Sequence, residues 1–140
     1  MHINWLLGAR ITFIVLGMIV TYLTVTPDTD SVQSGFDVMA WISNFIFQTT
    51  DLADKVAHFA AYGALGFSGF FAQIVAANRT SWLAGALGLH GASLEGVQGF
   101  VAARSPEIAD AIANASGAIA GCALAALVAI AAQKMLRERP

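Results

Sequence analysis

The stretch IADAIANASGAIAGCALAALVAIAA, residues 108–132, decides the fold. A bilayer core takes about 20 apolar residues as helix. This run exceeds that length with Asp110 as its only charge. Asp110 and Asn114 stand four residues apart in its first turns and so share a face. Asn114, Gly117 and Gly121 continue down one side, and the Gly117-x-x-x-Gly121 pair lets a neighbouring backbone approach closely. The segment reads as a membrane-spanning helix with polar groups at one end and a smooth packing stripe below them.

Three more stretches qualify as spans, residues 5–25, 56–77 and 81–102. Arg10 lies near the start of the first and can snorkel to the interface, and Pro27 ends that helix. His58 opens the second, while His90 and Glu95 interrupt the third. Of the 140 residues, 57% are hydrophobic and 11% charged. A soluble domain carries about 25% charged residues, so these charges are too few to coat a surface facing water. The mean hydropathy of +0.68 agrees. The expected architecture is all-α: an integral membrane bundle of four transmembrane helices, one domain over residues 1–140. No cleavable signal peptide is expected, because Thr26-Pro27-Asp28 is not a small-residue cleavage site. The lone thiol, Cys122, reads as a small apolar packing residue.

Orientation follows from lysine and arginine. With both termini cytoplasmic, the inner face holds Arg10, Arg79, Lys134, Arg137 and Arg139, and the outer face only Lys55 and Arg104. The first outer loop is acidic, with Asp28, Asp30, Asp37, Asp51 and Asp54. The pattern predicts N-in/C-in in a bacterial cytoplasmic membrane. Within that loop, residues 36–48 place Asp37, Asn44 and Gln48 on one side of a helical wheel. Val38, Met39, Ile42, Phe45 and Ile46 fall on the other. Too short and polar to span, the segment fits an amphipathic interfacial helix. It is either a plain connector or a lid over a membrane-facing site.

Ionisable groups at membrane depth are costly and usually face a partner or a cavity. Here they gather. Asp54, His58 and Tyr62 recur every four residues on one face of the second span, with Lys55 beside them. Glu95 and Gln98 lie three apart in the third, Arg104 follows in a short loop, and Asp110 and Asn114 open the fourth. In the predicted topology all sit in the outer leaflet or at its edge, with Glu95 deepest at about 10 Å. Three helices thus present polar groups at similar depth.

These residues carry a resemblance. The series Asp54-Lys55-x-x-His58-x-x-x-Tyr62, then Glu95-x-x-Gln98, Arg104 and Asp110-x-x-x-Asn114-x-x-Gly117 resembles the VanZ family of small bacterial membrane proteins. Pro27 after the first span is similar to the family too. The run Phe100-Val101-Ala102-Ala103-Arg104 departs from it, lacking the Pro-Gly often found before the arginine, and His90 has no counterpart. The resemblance implies a place in cell-envelope glycan metabolism and in reduced susceptibility to teicoplanin and related glycopeptide and lipoglycopeptide antibiotics. It does not imply a reaction.

Three functions fit. The first is a binding protein whose outward-facing pocket takes an anionic headgroup of a lipid or lipid-linked cell-wall precursor. Lys55 and Arg104 serve there as anion ligands, since a guanidinium fork suits phosphate, or else neutralise Asp54, Glu95 and Asp110. Asp54, His58, Tyr62, Glu95, Gln98, Asp110 and Asn114 form the walls. The second is an enzyme on such a substrate, with His58, Glu95 and Asp110 as acid/base groups. The third is an assembly partner of envelope machinery, in which the network only fixes helix register. Whether a reaction is catalysed stays open. Ser93 and Ser116 lie in no nucleophile motif. His58, Glu95 and Asp110 have metal-ligand chemistry but no compact H-E-x-x-H spacing, so neither metal nor cofactor is expected. The basic tail, Lys134 to Arg139, fits the positive-inside rule rather than nucleic acid. His90 reads as a hydrogen-bonding residue between helices, and Trp5, Trp41 and Trp82 as interfacial anchors. The glycine pair permits a homo-oligomer as readily as internal packing.

Overall fold

The computed structural model describes residues 2–26, 33–74, 80–100 and 107–138. These form five helices and no strand: α1 His2–Val25, α2 Gln33–Phe47, α3 Ala53–Phe71, α4 Thr80–Gln98 and α5 Ile108–Arg137. Side-chain contacts fix their directions. At one end Arg10 Nε donates to the Ala72 carbonyl at 3.2 Å, so the start of α1 meets the end of α3. At the other, Gln98 Nε2 donates to the Thr24 carbonyl at 2.6 Å, joining the ends of α1 and α4. Helices α3 and α5 run side by side in the same direction, with Lys55 beside Asp110 and Gly63 beside Gly121. Thus α1 and α4 point one way, α3 and α5 the other.

The α3–α5 seam explains the glycines. A methyl group on Gly117 would strike the Phe59 carbonyl, one on Gly121 the Gly63 carbonyl, and one on Gly66 the Ala118 carbonyl. The G-x-x-x-G stripe is therefore consumed by packing within the chain. Cys122 is buried in the same seam, 3.5 Å from the Gly66 carbonyl, as its small-residue reading requires. The core is small: Val20, Tyr62, Leu65, Leu83, Leu87, Ala118 and Cys122. Much of the remaining apolar surface faces outward, including Ile11, Ile14 and Met18 on α1 and Ile119, Leu127 and Ile130 on α5. Apolar patches of that extent mark a surface made for something other than water.

Two helices among the described residues, Asn4–Val25 and Ile108–Arg137, are long and apolar enough to cross a membrane, against the four expected. Helices α3 and α4 have 19 residues each, about 28 Å at 1.5 Å per residue. Composition sets them apart. Asp54, Lys55 and His58 crowd the first turns of α3, which stops at Phe71 because Gln73 adopts φ 52°, six residues before the predicted end of the second span. Helix α4 is diluted by glycine, His90 and Glu95. The tails of those two predicted spans, residues 75–77 and 101–102, lie outside the described residues. Helix α5 continues past residue 132 to Arg137, where Lys134 and Arg137 complement the carbonyl end of its dipole.

The amphipathic segment is α2, packed on α3. Ser43 is fully buried and donates to the Thr49 carbonyl at 2.7 Å. The chain then turns at Gln48, φ 56°. Val38, Trp41, Phe45 and Ile46 point away from the protein, with Trp41 and Phe45 stacked at 5.8 Å between ring centroids. An apolar face turned outward is what an interfacial helix offers to lipid.

Candidate functional site

The helix directions place the starts of α3 and α5 beside the end of α4, and there the ionisable residues meet. Lys55 is the hub. Its Nζ lies 2.8 Å from Asp110 Oδ1, 2.5 Å from Glu107 Oε2 and 3.4 Å from Asp54 Oδ2. Asp110 stands in the first turn of α5, where the free amides of a helix N-terminus favour negative charge. Glu107, just before that helix, was not singled out in the sequence. Its signal was an acidic residue at a helix start, next to Pro106.

One turn below, His58 Nδ1–H donates to Asn114 Oδ1 at 3.0 Å. The other ring nitrogen, Nε2, faces Asp54 Oδ1 at 3.7 Å and Asp110 Oδ2 at 4.0 Å. Each of these aspartates therefore turns one oxygen to Lys55 and the other to His58. Glu95, from α4, brings Oε1 to 3.9 Å from His58 Nδ1. It is 4% exposed and faces the Glu107 amide, yet neither of its oxygens makes a hydrogen bond of ordinary geometry among the described residues. Asn114 is fully buried, and its Nδ2 has no acceptor among them either.

Asp54, Lys55, His58, Glu95, Asp110 and Asn114 thus form one cluster built from three helices. Two other expected members turn elsewhere. Tyr62 is buried and its hydroxyl pairs with His90 Nδ1 at 3.0 Å, while His90 Nε2 pairs with Thr21 Oγ1 at 3.2 Å. This chain ties α3, α4 and α1 together, the helix-bridging role read for His90. Gln98 serves the Thr24 carbonyl rather than the cluster. Both share a helix face with cluster residues, but Tyr62 is held by His90 of α4 and Gln98 by Thr24 of α1. Arg104 falls outside the described residues.

Lys55 was read as an anion ligand. Its ammonium is encircled by three carboxylates, which is the neutralising arrangement, with Glu107 as a partner added to Asp54 and Asp110. Among the described residues the site has a net negative charge: Asp54, Glu95, Glu107 and Asp110 against Lys55 and His58.

An apolar groove of about 670 Å³ runs between α1, α3 and α5, lined by no residue of the cluster and starting one helical turn past Lys55. It begins at Phe59, next in sequence to His58, and descends along Gly63 and Phe67 to Phe71. Leu16 and Leu124 line its other sides.

Outward-facing apolar helices around an ionisable cluster define a class, the helical membrane protein with a polar site between its helices. Comparison with known families makes the assignment definite: residues 11–129 match the family model described as VanZ/LLP1, and the chain belongs to that family. No curated protein and no solved structure matches the chain. Family membership and the two apolar helices together point to a membrane protein linked to glycopeptide resistance.

Proposed function

We propose that the chain crosses the bacterial cytoplasmic membrane four times with both termini inside. On this reading it binds the headgroup of a lipid-linked cell-envelope precursor at the outer face and thereby alters glycopeptide and lipoglycopeptide susceptibility. The alternating directions of α1, α3, α4 and α5 support the four passes. Arg10, Lys134 and Arg137 share one end of the bundle and the acidic cluster occupies the other, which by the positive-inside rule puts the cluster outside. Trp5 and Trp82 are exposed near the first end and Trp41 near the second, as two aromatic belts require.

One observation carries the ligand class: a polar cluster at the head of an apolar groove. A molecule with a polar head and a long apolar chain satisfies both at once, and a polyprenyl or acyl chain fits the groove walls. Arg104, between α4 and α5 in the sequence, is the residue we assign to the anionic group, since Lys55 is already neutralised. The test is retention of a photoreactive polyprenyl phosphate by the purified protein, competed with bulk phospholipid. Specific labelling is expected, lost in Arg104→Ala and in Ala64→Trp, which fills the groove. Labelling no stronger than that of bulk phospholipid would exclude the reading.

Chemistry on the bound headgroup is the second reading, favoured by His58 lying within 4.0 Å of three carboxylates. Imidazole and carboxylate so placed are suited to proton transfer. Turnover of a radiolabelled polyprenyl-linked substrate, abolished in His58→Ala, distinguishes it from binding alone.

A further inference from the structure

We propose that Asp54, His58 and Asp110 form a site for a first-row divalent cation such as Mn²⁺ or Zn²⁺, with Asn114 orienting the imidazole and Glu95 supplying adjacent negative charge. Several atoms of the cluster are already engaged. Lys55 takes Asp54 Oδ2 and Asp110 Oδ1. Asn114 takes His58 Nδ1. What is left over points inward: Asp54 Oδ1, Asp110 Oδ2 and His58 Nε2 face one another. One ligand atom from each of these three residues lies within 4.8 Å of the others.

The separations of 3.7 and 4.0 Å from Nε2 are too long for hydrogen bonds. They suit a shared cation better. Ligand atoms about 2.1 Å from one metal stand roughly 3 to 3.5 Å apart, so a contraction of about half an ångström brings Nε2 and each carboxylate to that spacing, and the two carboxylates, within 4.8 Å of each other, close by at most about 1.3 Å. Metal-bound histidines donate the second ring N–H to a neighbouring acceptor, which fixes the tautomer. Asn114 Oδ1 is that acceptor here.

Glu95 is the independent sign. A carboxylate 4% exposed, with no well-formed hydrogen bond among the described residues, stands 3.9 Å from Nδ1 of the same imidazole, on the ring edge opposite the two aspartates. A buried carboxylate either gains a countercharge or takes up a proton; Lys55 is already shared among three others, and a cation at Nε2 would favour the charged form. One imidazole with carboxylates is a mixed nitrogen–oxygen set, suited to Zn²⁺ through the imidazole and to Mn²⁺ through the oxygens. Three protein ligands would leave coordination positions open to water or to a ligand's oxygens. No H-E-x-x-H spacing announces the site because its members come from two helices, 52 positions apart between His58 and Asp110.

The inference rests on the cluster alone and not on the headgroup reading, so its test contains no headgroup ligand. Mn²⁺ is titrated into the full chain in zwitterionic detergent and followed by electron paramagnetic resonance. One Mn²⁺ per chain is expected, displaced by Zn²⁺, with ¹⁴N modulation from a directly bound imidazole. Asp54→Asn, at the exposed mouth, is expected to weaken binding at least 10-fold. Asn114→Ala, which removes only the orienting acceptor, is expected to weaken it roughly 10- to 100-fold. The proposal is overturned if the wild-type chain binds neither ion stoichiometrically, or if bound Mn²⁺ shows no nitrogen modulation. The modulation is read on unmodified protein, so a variant that fails to fold does not decide the matter.

Discussion

At the scale of single residues, the centre of the molecule is an ammonium group among carboxylates. Lys55 is a quarter exposed at the side chain and Asp110 is 7% exposed. Replacing Lys55 by methionine keeps the stem and removes the charge, leaving Asp110 buried with its principal partner gone. Breaking a fully buried pair from one side costs about 3–5 kcal/mol. Partial exposure lowers this, so a loss on the order of 2 kcal/mol is expected for Lys55→Met, read from reversible unfolding in mixed micelles. Lys55→Met/Asp110→Asn should recover part of that loss, because the orphaned charge is gone too. A double variant no more stable than the single one would show that the pair is not what Lys55 supplies. The sequence indicated that these residues belong together but not how their charges divide. Asp54 is adjacent in the chain and easily seen, whereas Glu107 and Asp110 reach Lys55 only because α3 and α5 start side by side.

At the scale of elements, the α3–α5 seam is set by backbone contact. Gly117 and Gly121 present bare backbone to the Phe59 and Gly63 carbonyls. An added side chain there must push the helices apart, and overpacking of this kind costs about 1–3 kcal/mol. Gly121→Ala is expected to destabilise the chain by that amount in the same unfolding experiment. Gly96→Ala, where an added methyl meets nothing within 4 Å, should be neutral or stabilising by up to about 1 kcal/mol, since alanine is the better helix former. A dimer seam would give another result: Gly121→Ala would shift the chain from dimer to monomer in size-exclusion chromatography and leave monomer stability alone. The glycine stripe was legible in the sequence and its partner was not. Spacing on one helix shows which face is smooth, while the partner is chosen by the small residues of α3, spread over Gly63 and Gly66. Helix ends were legible where chemistry marks them, as at Val25 before Pro27. They were missed at Gln73, a residue type that does not announce a left-handed turn.

At the scale of the whole molecule, the question is how α3 and α4 lie in a membrane that α1 and α5 are long and apolar enough to cross. Their own composition does not decide it, and their packing is what supports the four-pass reading. Helix α3 packs against α1 and α5, and α4 against α5 and α1, and they turn Tyr62 and Gly66 of α3 and Gly91, Glu95 and Gln98 of α4 inward. On the four-pass reading, low hydropathy in such a helix belongs to burial in protein, where a window average does not register a pass. Single cysteines in a Cys122→Ala background put this to the test. Asp51→Cys lies in the exposed turn before α3, and Glu138→Cys follows the last turn of α5. With four passes these positions lie on opposite sides of the membrane. A membrane-impermeant maleimide should label residue 51 in intact spheroplasts and residue 138 only after permeabilisation. If α3 and α4 instead re-entered from the outer side without crossing, α5 would still carry residue 138 inward, but a cysteine at exposed Ile74, beyond the end of α3, would label from outside. Protection of that third position until the membrane is opened is the result that four passes require, and it places the acidic cluster on the face where an envelope precursor is met.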